Sequence, residues 1–170
     1  MKKKKEEALK RAIEMEQEGK RFYLEAAQRS QSHLAKEIFE ELAREEDLHV
    51  KKIREIYERL KKNEAFGEWI TSVNDTSKLQ KVFQESLMEK AKASPGDLEA
   101  LRFAMDREEK SVKYYEGLAT ETSNPQERRF YLTLSHEERG HYLQIMDSIE
   151  YLTDPVGWLR QKEKAGLDGS

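Results

Sequence analysis

The sequence predicts an all-α fold: a four-helix bundle with a long crossover between its second and third helices and a short C-terminal helix. Apolar residues recur at three- and four-residue spacing over four long stretches, which is the period of an amphipathic helix. The links within the first and second pairs of stretches are short, and the link between the pairs is long. This pattern is typical of two antiparallel hairpins joined by one crossover. We expect one domain over residues 1–170.

The first hairpin is predicted from helices over residues 3–29 and 33–63, separated by a short break that begins at Ser30. A helix of this length is about 40 Å long at a rise of about 1.5 Å per residue. The crossover that follows, residues 64–97, is long enough to cover that distance and return, and it contains a weaker helical pattern from Leu79 to residue 93.

The second hairpin is predicted from helices over residues 98–121 and 126–152. Asp97 is the expected N-cap of the third helix, because its carboxylate can accept hydrogen bonds from the free amides of the first turn. The C-terminal tail is expected over residues 153–170. Pro155 marks the start of its short helix and Gly166 marks the end.

An internal repeat relates the two hairpins. Residues 7–60 align without a gap with residues 99–152, at an offset of 92 residues. Packing explains why apolar positions repeat, but it does not require acids, imidazoles and hydroxyls at the same register twice. The repeated polar pairs are Glu16 with Glu108, Tyr23 with Tyr115, Glu45 with Glu137, Glu46 with Glu138, and His49 with His141.

Most of these acids and both histidines interrupt apolar stripes. Glu46 and His49 are three residues apart on one face of the second helix, and Glu138 and His141 occupy the same places on the fourth. Together with the acids of the first and third helices, they would point into the bundle. Four buried carboxylates without counter-charge would be costly or would take up protons, and two divalent cations remove that cost. Carboxylate with imidazole predicts a paired iron or manganese site.

The chain resembles the rubrerythrin branch of the ferritin-like superfamily over nearly its whole length. The stretches that carry the resemblance are residues 16–23, 45–49, 108–115, 137–141 and 151–158. The resemblance implies a ferritin-like bundle with a non-haem di-iron centre, for which manganese is the alternative metal. The ligands it implies are Glu16, Glu46, His49, Glu108, Glu138 and His141.

The resemblance also implies an oxidoreductase that reduces hydrogen peroxide or O2 and protects against oxidative stress, with the four glutamates, Tyr23 and Tyr115 taking part. Rubrerythrins proper carry a rubredoxin-type iron–cysteine module, whereas this sequence has no cysteine. We therefore expect an external electron donor such as a rubredoxin-type protein or a flavoprotein reductase. Ser111 replaces a further glutamate ligand of the family, and its repeat partner is Gly19. Both residues are small and would leave room for an oxidant.

Three other functions fit the same residues: a ferroxidase or iron-handling protein, a dimanganese catalase-like enzyme, and a bundle that binds metal without catalysis. For Tyr23 and Tyr115 we expect a hydrogen bond to a ligand carboxylate, with redox activity or simple packing as the alternatives. Glu45 and Glu137 lie one turn before the histidines, where each could accept a ring N–H. The other histidines, His33 and His136, are expected at the surface.

Composition narrows the remaining classes of protein. The 34 acidic and 31 basic residues give a net charge of −3, which argues against a nucleic-acid binder. No apolar run approaches the roughly 20 residues that span a bilayer, and the basic N-terminus leads into no apolar stretch. We therefore expect a cytoplasmic protein without a membrane partner, and we expect it to form a homodimer.

Overall fold

The computed structural model describes residues 2–62 and 94–167, and these residues form five helices and no strand. Four are long and the fifth is short, so the predicted all-α fold is confirmed. Most of the predicted crossover, including the helical pattern from Leu79, lies outside the described residues. The helices are α1 (Lys2–Arg29), α2 (His33–Lys61), α3 (Pro95–Glu121), α4 (Pro125–Thr153) and α5 (Pro155–Leu167).

The long helices form two hairpins, as predicted. Helix α1 packs mainly along α2, and α3 packs mainly along α4. The second and third helices start at the same end of the bundle, because the Asp97 carboxylate near the start of α3 accepts hydrogen bonds from the backbone amides of Gln31 (3.1 Å) and Ser32 (3.0 Å) just before α2. The end of α2 and the start of α3 therefore lie at opposite ends of the bundle.

The prediction that Asp97 is the N-cap of α3 is wrong, because Ser94 holds that position. The Ser94 hydroxyl accepts a hydrogen bond from the Asp97 amide at 3.1 Å, and the Asp97 carboxylate accepts one from the Ser94 amide at 3.1 Å. This reciprocal pair is a capping box with Asp97 at the third helical position. Pro95 fits the first helical position, where its missing N–H leaves no unmet hydrogen bond.

The short helix α5 is anchored to α4 by an aromatic residue. Pro155 opens the helix as predicted, and the helix runs through Gly166 to Leu167. The Trp158 side chain is buried, its indole N–H donates to the Asp147 carboxylate at 2.8 Å, and its ring lies edge-on to Tyr151. Burial of one indole with its hydrogen bond satisfied holds the tail against the bundle.

The core consists of two apolar clusters, one towards each end of the bundle. One includes Leu42, Leu101 and Ile145, and the other includes Leu9, Ile53 and Leu134. On α1, Ala12 belongs to one cluster and Tyr23 to the other, about three turns of helix apart, and Glu16 lies between them. A polar layer therefore occupies the middle of an otherwise apolar core.

Candidate metal centre

Six ionisable side chains from all four long helices meet in this middle layer. Each is at most 4% exposed. Their ligand atoms fall into two compact groups, each within 4.8 Å, that could hold a metal ion. Glu138 belongs to both groups and so links them. The first group is Glu16, Glu46, His49 and Glu138, and the second is Glu108, Glu138 and His141.

Both histidines direct the same ring nitrogen, Nδ1, towards the carboxylates. His49 Nδ1 lies 3.0 Å from Glu16 Oε2 and 2.9 Å from Glu138 Oε1. His141 Nδ1 lies 3.7 Å from Glu108 Oε2 and 3.8 Å from Glu138 Oε2. The two imidazole rings are nearly parallel, with centroids 5.7 Å apart. A cation placed among these acids would therefore meet Nδ1 of each ring.

The unpaired atoms of the layer fit a cationic occupant. Glu46 Oε2, Glu108 Oε2, Glu138 Oε2 and His141 Nδ1 are buried and have no hydrogen-bond partner. A buried acceptor without a partner costs about 1–3 kcal/mol, and a charged one costs more. Carboxylate oxygens and an imidazole nitrogen are also the donors that iron and manganese accept. The residues present thus fit a pair of divalent cations.

Crowded charge shifts the pKa values of these groups in opposite directions. Burial, together with neighbouring carboxylates, raises the pKa of Glu46 well above its usual range and that of Glu108 to about 8. Burial alone would lower the pKa of His141, but Glu108 and Glu138 raise it to about 10. For Glu138, burial works against ionisation, yet His49 and His141 bring its pKa well below the usual value. Without metal, the layer therefore balances its acids with protons and imidazolium charge.

The tyrosine contacts predicted from the repeat are confirmed. The Tyr23 hydroxyl donates a hydrogen bond to Glu108, and the Tyr115 hydroxyl donates one to Glu16. Both side chains are fully buried. Burial and the charge of the accepting glutamate raise both tyrosine pKa values well above the usual value, so the hydroxyls stay protonated and can donate.

Glu137 lies against a histidine ring nitrogen, but the histidine is on the other hairpin. Glu137 Oε2 is 3.0 Å from Nε2 of His49 on α2, rather than beside His141 one turn along its own helix. The Lys52 ammonium lies 3.2 Å from Glu137 Oε1. Although burial opposes it, His49 and Lys52 lower the pKa of Glu137. Lys52 was not predicted from the sequence, where its only signal is a departure from the repeat, since the matching residue is Gln144.

Gly19 brings the backbone of α1 close to the acids, and the room expected there for an oxidant is taken by the Glu46 carboxylate. A Cβ atom added there would lie 2.6 Å from Glu46 Oε1 and 3.0 Å from Nη2 of Arg107. The Arg107 guanidinium donates to the Met15 carbonyl at 3.2 Å. Arg107 was also not predicted as part of the site. Its only sign in the sequence is again a departure from the repeat, because the matching residue is Met15 itself.

The remaining two histidines lie away from this layer, as predicted. The His33 side chain is 60% exposed and faces Glu37 on its own helix at 3.1 Å. His136 is exposed on α4. The metal-binding pattern is therefore confined to the two Glu-x-x-His motifs among the described histidines.

Fold and site together define a helical bundle with a buried carboxylate–histidine cluster suited to metal. The family model for rubrerythrin matches residues 7–148, which is most of the chain. The chain belongs to the rubrerythrin family. No curated protein and no solved structure gave a match to it. Family and cluster together indicate a metal site built from carboxylates and histidines.

None of the helices in the described part of the chain combines the length and the apolar character needed to cross a lipid bilayer.

Proposed function

We propose that this protein is a non-haem di-iron oxidoreductase that reduces hydrogen peroxide or O2 with electrons from an external donor. The observation that carries the proposal is the buried layer of four carboxylates and two imidazoles, several of whose ligand atoms have no hydrogen-bond partner. The metal ligands we propose are Glu16, Glu46, His49, Glu108, Glu138 and His141.

The proposed ligands have different roles in holding the two metals. Glu138 belongs to both candidate groups and would bridge them, while Nδ1 of each histidine fixes one position. Tyr23 and Tyr115 hold the carboxylates of Glu108 and Glu16 in one orientation. Such contacts behind a ligand set its orientation and basicity. The missing side chain at Gly19 lets the Glu46 carboxylate lie against α1, because a Cβ there would be 2.6 Å from Glu46 Oε1.

When bound, an iron pair supplies two electrons which, with two protons, reduce hydrogen peroxide to two waters. Without metal, burial raises the pKa of Glu46 above its usual range, so metal binding would release the proton that this acid holds. An iron–cysteine module would need cysteine, and these 170 residues contain none. We therefore propose that electrons come from a separate rubredoxin-type protein or a flavoprotein reductase.

The test is the reaction of the ferrous protein with peroxide. Apoprotein is loaded anaerobically with Fe(II), mixed with hydrogen peroxide in a stopped-flow spectrometer, and then supplied with a reductase. We expect rapid oxidation followed by repeated turnover. A ferrous protein that is inert to peroxide would overturn the proposal. Oxidation without turnover would favour iron handling, and manganese found by elemental analysis after expression in balanced metals would favour a dimanganese enzyme.

Two adjacent glutamates provide a matched pair of variants. Glu108 is 1% exposed in the layer, whereas the Glu109 side chain is 52% exposed and pairs with Lys113. Glu108→Ala should lose metal and peroxide reactivity together, and Glu109→Ala should keep both. Equal behaviour of the two variants would show that reactivity does not depend on the buried layer.

A further inference from the structure

The two halves of the candidate centre are related by the repeat, but one half carries a cation that the other lacks. Lys52 lies on α2, three residues after His49, and its repeat partner on α4 is Gln144. The proposed ligands, in contrast, repeat without change, since each glutamate aligns with a glutamate and each histidine with a histidine. The change from lysine to glutamine therefore alters the charge on one side of a site whose proposed ligands all repeat.

Lys52 is connected to the layer through a single side chain. Its ammonium lies 3.2 Å and 3.5 Å from the two oxygens of Glu137. Glu137 Oε2 in turn lies 3.0 Å from Nε2 of His49, the ring nitrogen that faces away from the carboxylates. The Lys52 side chain is 20% exposed, Glu137 is 7% exposed and His49 is fully buried, so the path runs from near the surface into the core.

The position of Glu137 matters because a carboxylate behind a histidine ligand increases the basicity of the ring and strengthens the metal bond. A cation on that carboxylate draws its charge away from the ring. The same cation also repels a metal ion in a medium of low dielectric. Both effects weaken cation binding on the His49 side, and a neutral glutamine cannot produce either effect on the His141 side.

On the basis of the proposed function, we infer that Lys52 is a positioning residue that makes the two metal positions unequal. It acts through Glu137 on His49, so that the His49 position binds a divalent cation more weakly and holds a bound iron at a higher reduction potential than it would without the lysine.

The experiment uses cobalt(II) as the probe and the full chain as apoprotein. Cobalt is titrated against a competing chelator and followed by its visible absorption, so that both dissociation constants are measured. We expect Lys52→Gln to tighten one of them about tenfold, within the range usual for residues behind a metal ligand. Gln144→Lys should weaken the other step. The control is Lys51→Gln, because the Lys51 side chain is 69% exposed and pairs with Asp47.

The assignment to His49 is tested by a double-mutant cycle. In a His49→Ala background, Lys52→Gln should have no further effect on cobalt binding. Should that background fail to fold, the reduction potentials of the iron-loaded protein give a second measurement. Lys52→Gln should lower the potential of one metal, and Lys51→Gln should lower neither.

The outcomes separate this inference from the proposed function. A wild-type chain that takes up no metal would overturn the proposed function. If the chain binds two metals and Lys52→Gln behaves like Lys51→Gln, or its effect persists without His49, only the role of Lys52 is overturned.

Discussion

The hydroxyl of Tyr23 on α1 donates a hydrogen bond to the carboxylate of Glu108 on α3, which belongs to the other half of the repeat. Tyr115 on α3 makes the same contact with Glu16 on α1. Glu16 and Glu108 are thus each oriented by a tyrosine of the other hairpin. Since a phenol of raised pKa keeps its proton, both hydroxyls can donate across the ordinary pH range.

Removing one of these hydroxyls should weaken metal binding without unfolding the protein. We expect Tyr115→Phe to raise the dissociation constant for cobalt(II) about tenfold, because Glu16 loses the donor that orients it. The control is the neighbouring Tyr114→Phe, whose hydroxyl donates instead to the Ala8 carbonyl at 2.9 Å. That variant should lose about 1 kcal/mol of stability and no affinity. Equal affinities for Tyr115→Phe and wild type would contradict the prediction.

A methyl group at Gly19 should disturb the site more than the fold. In Gly19→Ala the new Cβ would lie 2.6 Å from Glu46 Oε1, so the carboxylate has to move away from its present place. The helix itself gains about 1 kcal/mol from replacing glycine with alanine. We therefore expect Gly19→Ala to have a free energy of unfolding close to or above that of wild type, as measured by urea denaturation. The same variant should bind cobalt(II) more weakly.

Gly117→Ala is the matched control for Gly19→Ala. Gly117 lies inside α3, and a Cβ added there would meet no atom within 4 Å. This variant should gain stability and keep its metal affinity. If Gly19→Ala also kept full affinity, Glu46 would not need its present position to bind metal.

Asp97 should contribute to stability in a way that depends on pH. Burial opposes its ionisation, but hydrogen bonds from the Ser94, Ser32 and Gln31 amides and the Ser94 hydroxyl lower its pKa below the usual 3.8. A lowered folded-state pKa gives stability that is complete above the unfolded pKa and is lost as pH falls through the folded value. Asp97→Asn should therefore cost about 1–2 kcal/mol at neutral pH, and the difference from wild type should narrow towards pH ~3.

Urea denaturation at several pH values measures this difference. The control is Asp106→Asn, since the Asp106 side chain is 51% exposed and pairs only with Lys110 among the ion pairs of the described residues. The free energies of unfolding of Asp97→Asn and wild type could instead differ by the same amount from pH 7 to pH 3. That result would show that the Asp97 charge does not hold the start of α3 against the turn before α2.

Metal removal should lower the melting temperature, because an ion that binds only the folded chain stabilises it by mass action. A cation at 100 times its dissociation constant adds about 2.7 kcal/mol. Thermal unfolding with and without cobalt(II) measures the shift. Glu138→Ala should abolish the shift, since Glu138 belongs to both candidate groups. A shift that survives this substitution would place the metal elsewhere.

The sequence was sufficient to predict the helices and the composition of the buried layer. Periodicity located each long helix to within a few residues, and the repeat singled out Glu46 and His49 because packing alone does not duplicate polar residues. The start of α3 was misplaced because Asp97 satisfies the rules for an N-cap equally well. Ser94 takes that position because the Asp97 carboxylate also binds the amides before α2.

Contacts between helices were harder to predict than positions along them. Sequence spacing shows that Glu137 lies one turn from His141, but it gives no information on how far α4 is offset along α2. That offset places Glu137 against His49 and brings Lys52 within reach. For the two tyrosines, the sequence predicted that the hydroxyl would contact a carboxylate, but not which one. The contacted carboxylate lies on the other hairpin, and this again depends on how the helices pack.

Because each tyrosine donates to a glutamate of the other hairpin, the two halves of this chain contact each other as the subunits of a symmetric dimer do. Residue 23 of the first half meets residue 108 of the second, and residue 115 of the second half meets residue 16 of the first, as in an isologous interface between identical subunits. A hairpin of this kind is incomplete alone, because the tyrosine hydroxyl that donates to its glutamate belongs to the other copy. Fusing two copies in one chain fixes their stoichiometry, and it also frees each copy to differ from the other where symmetry is not needed.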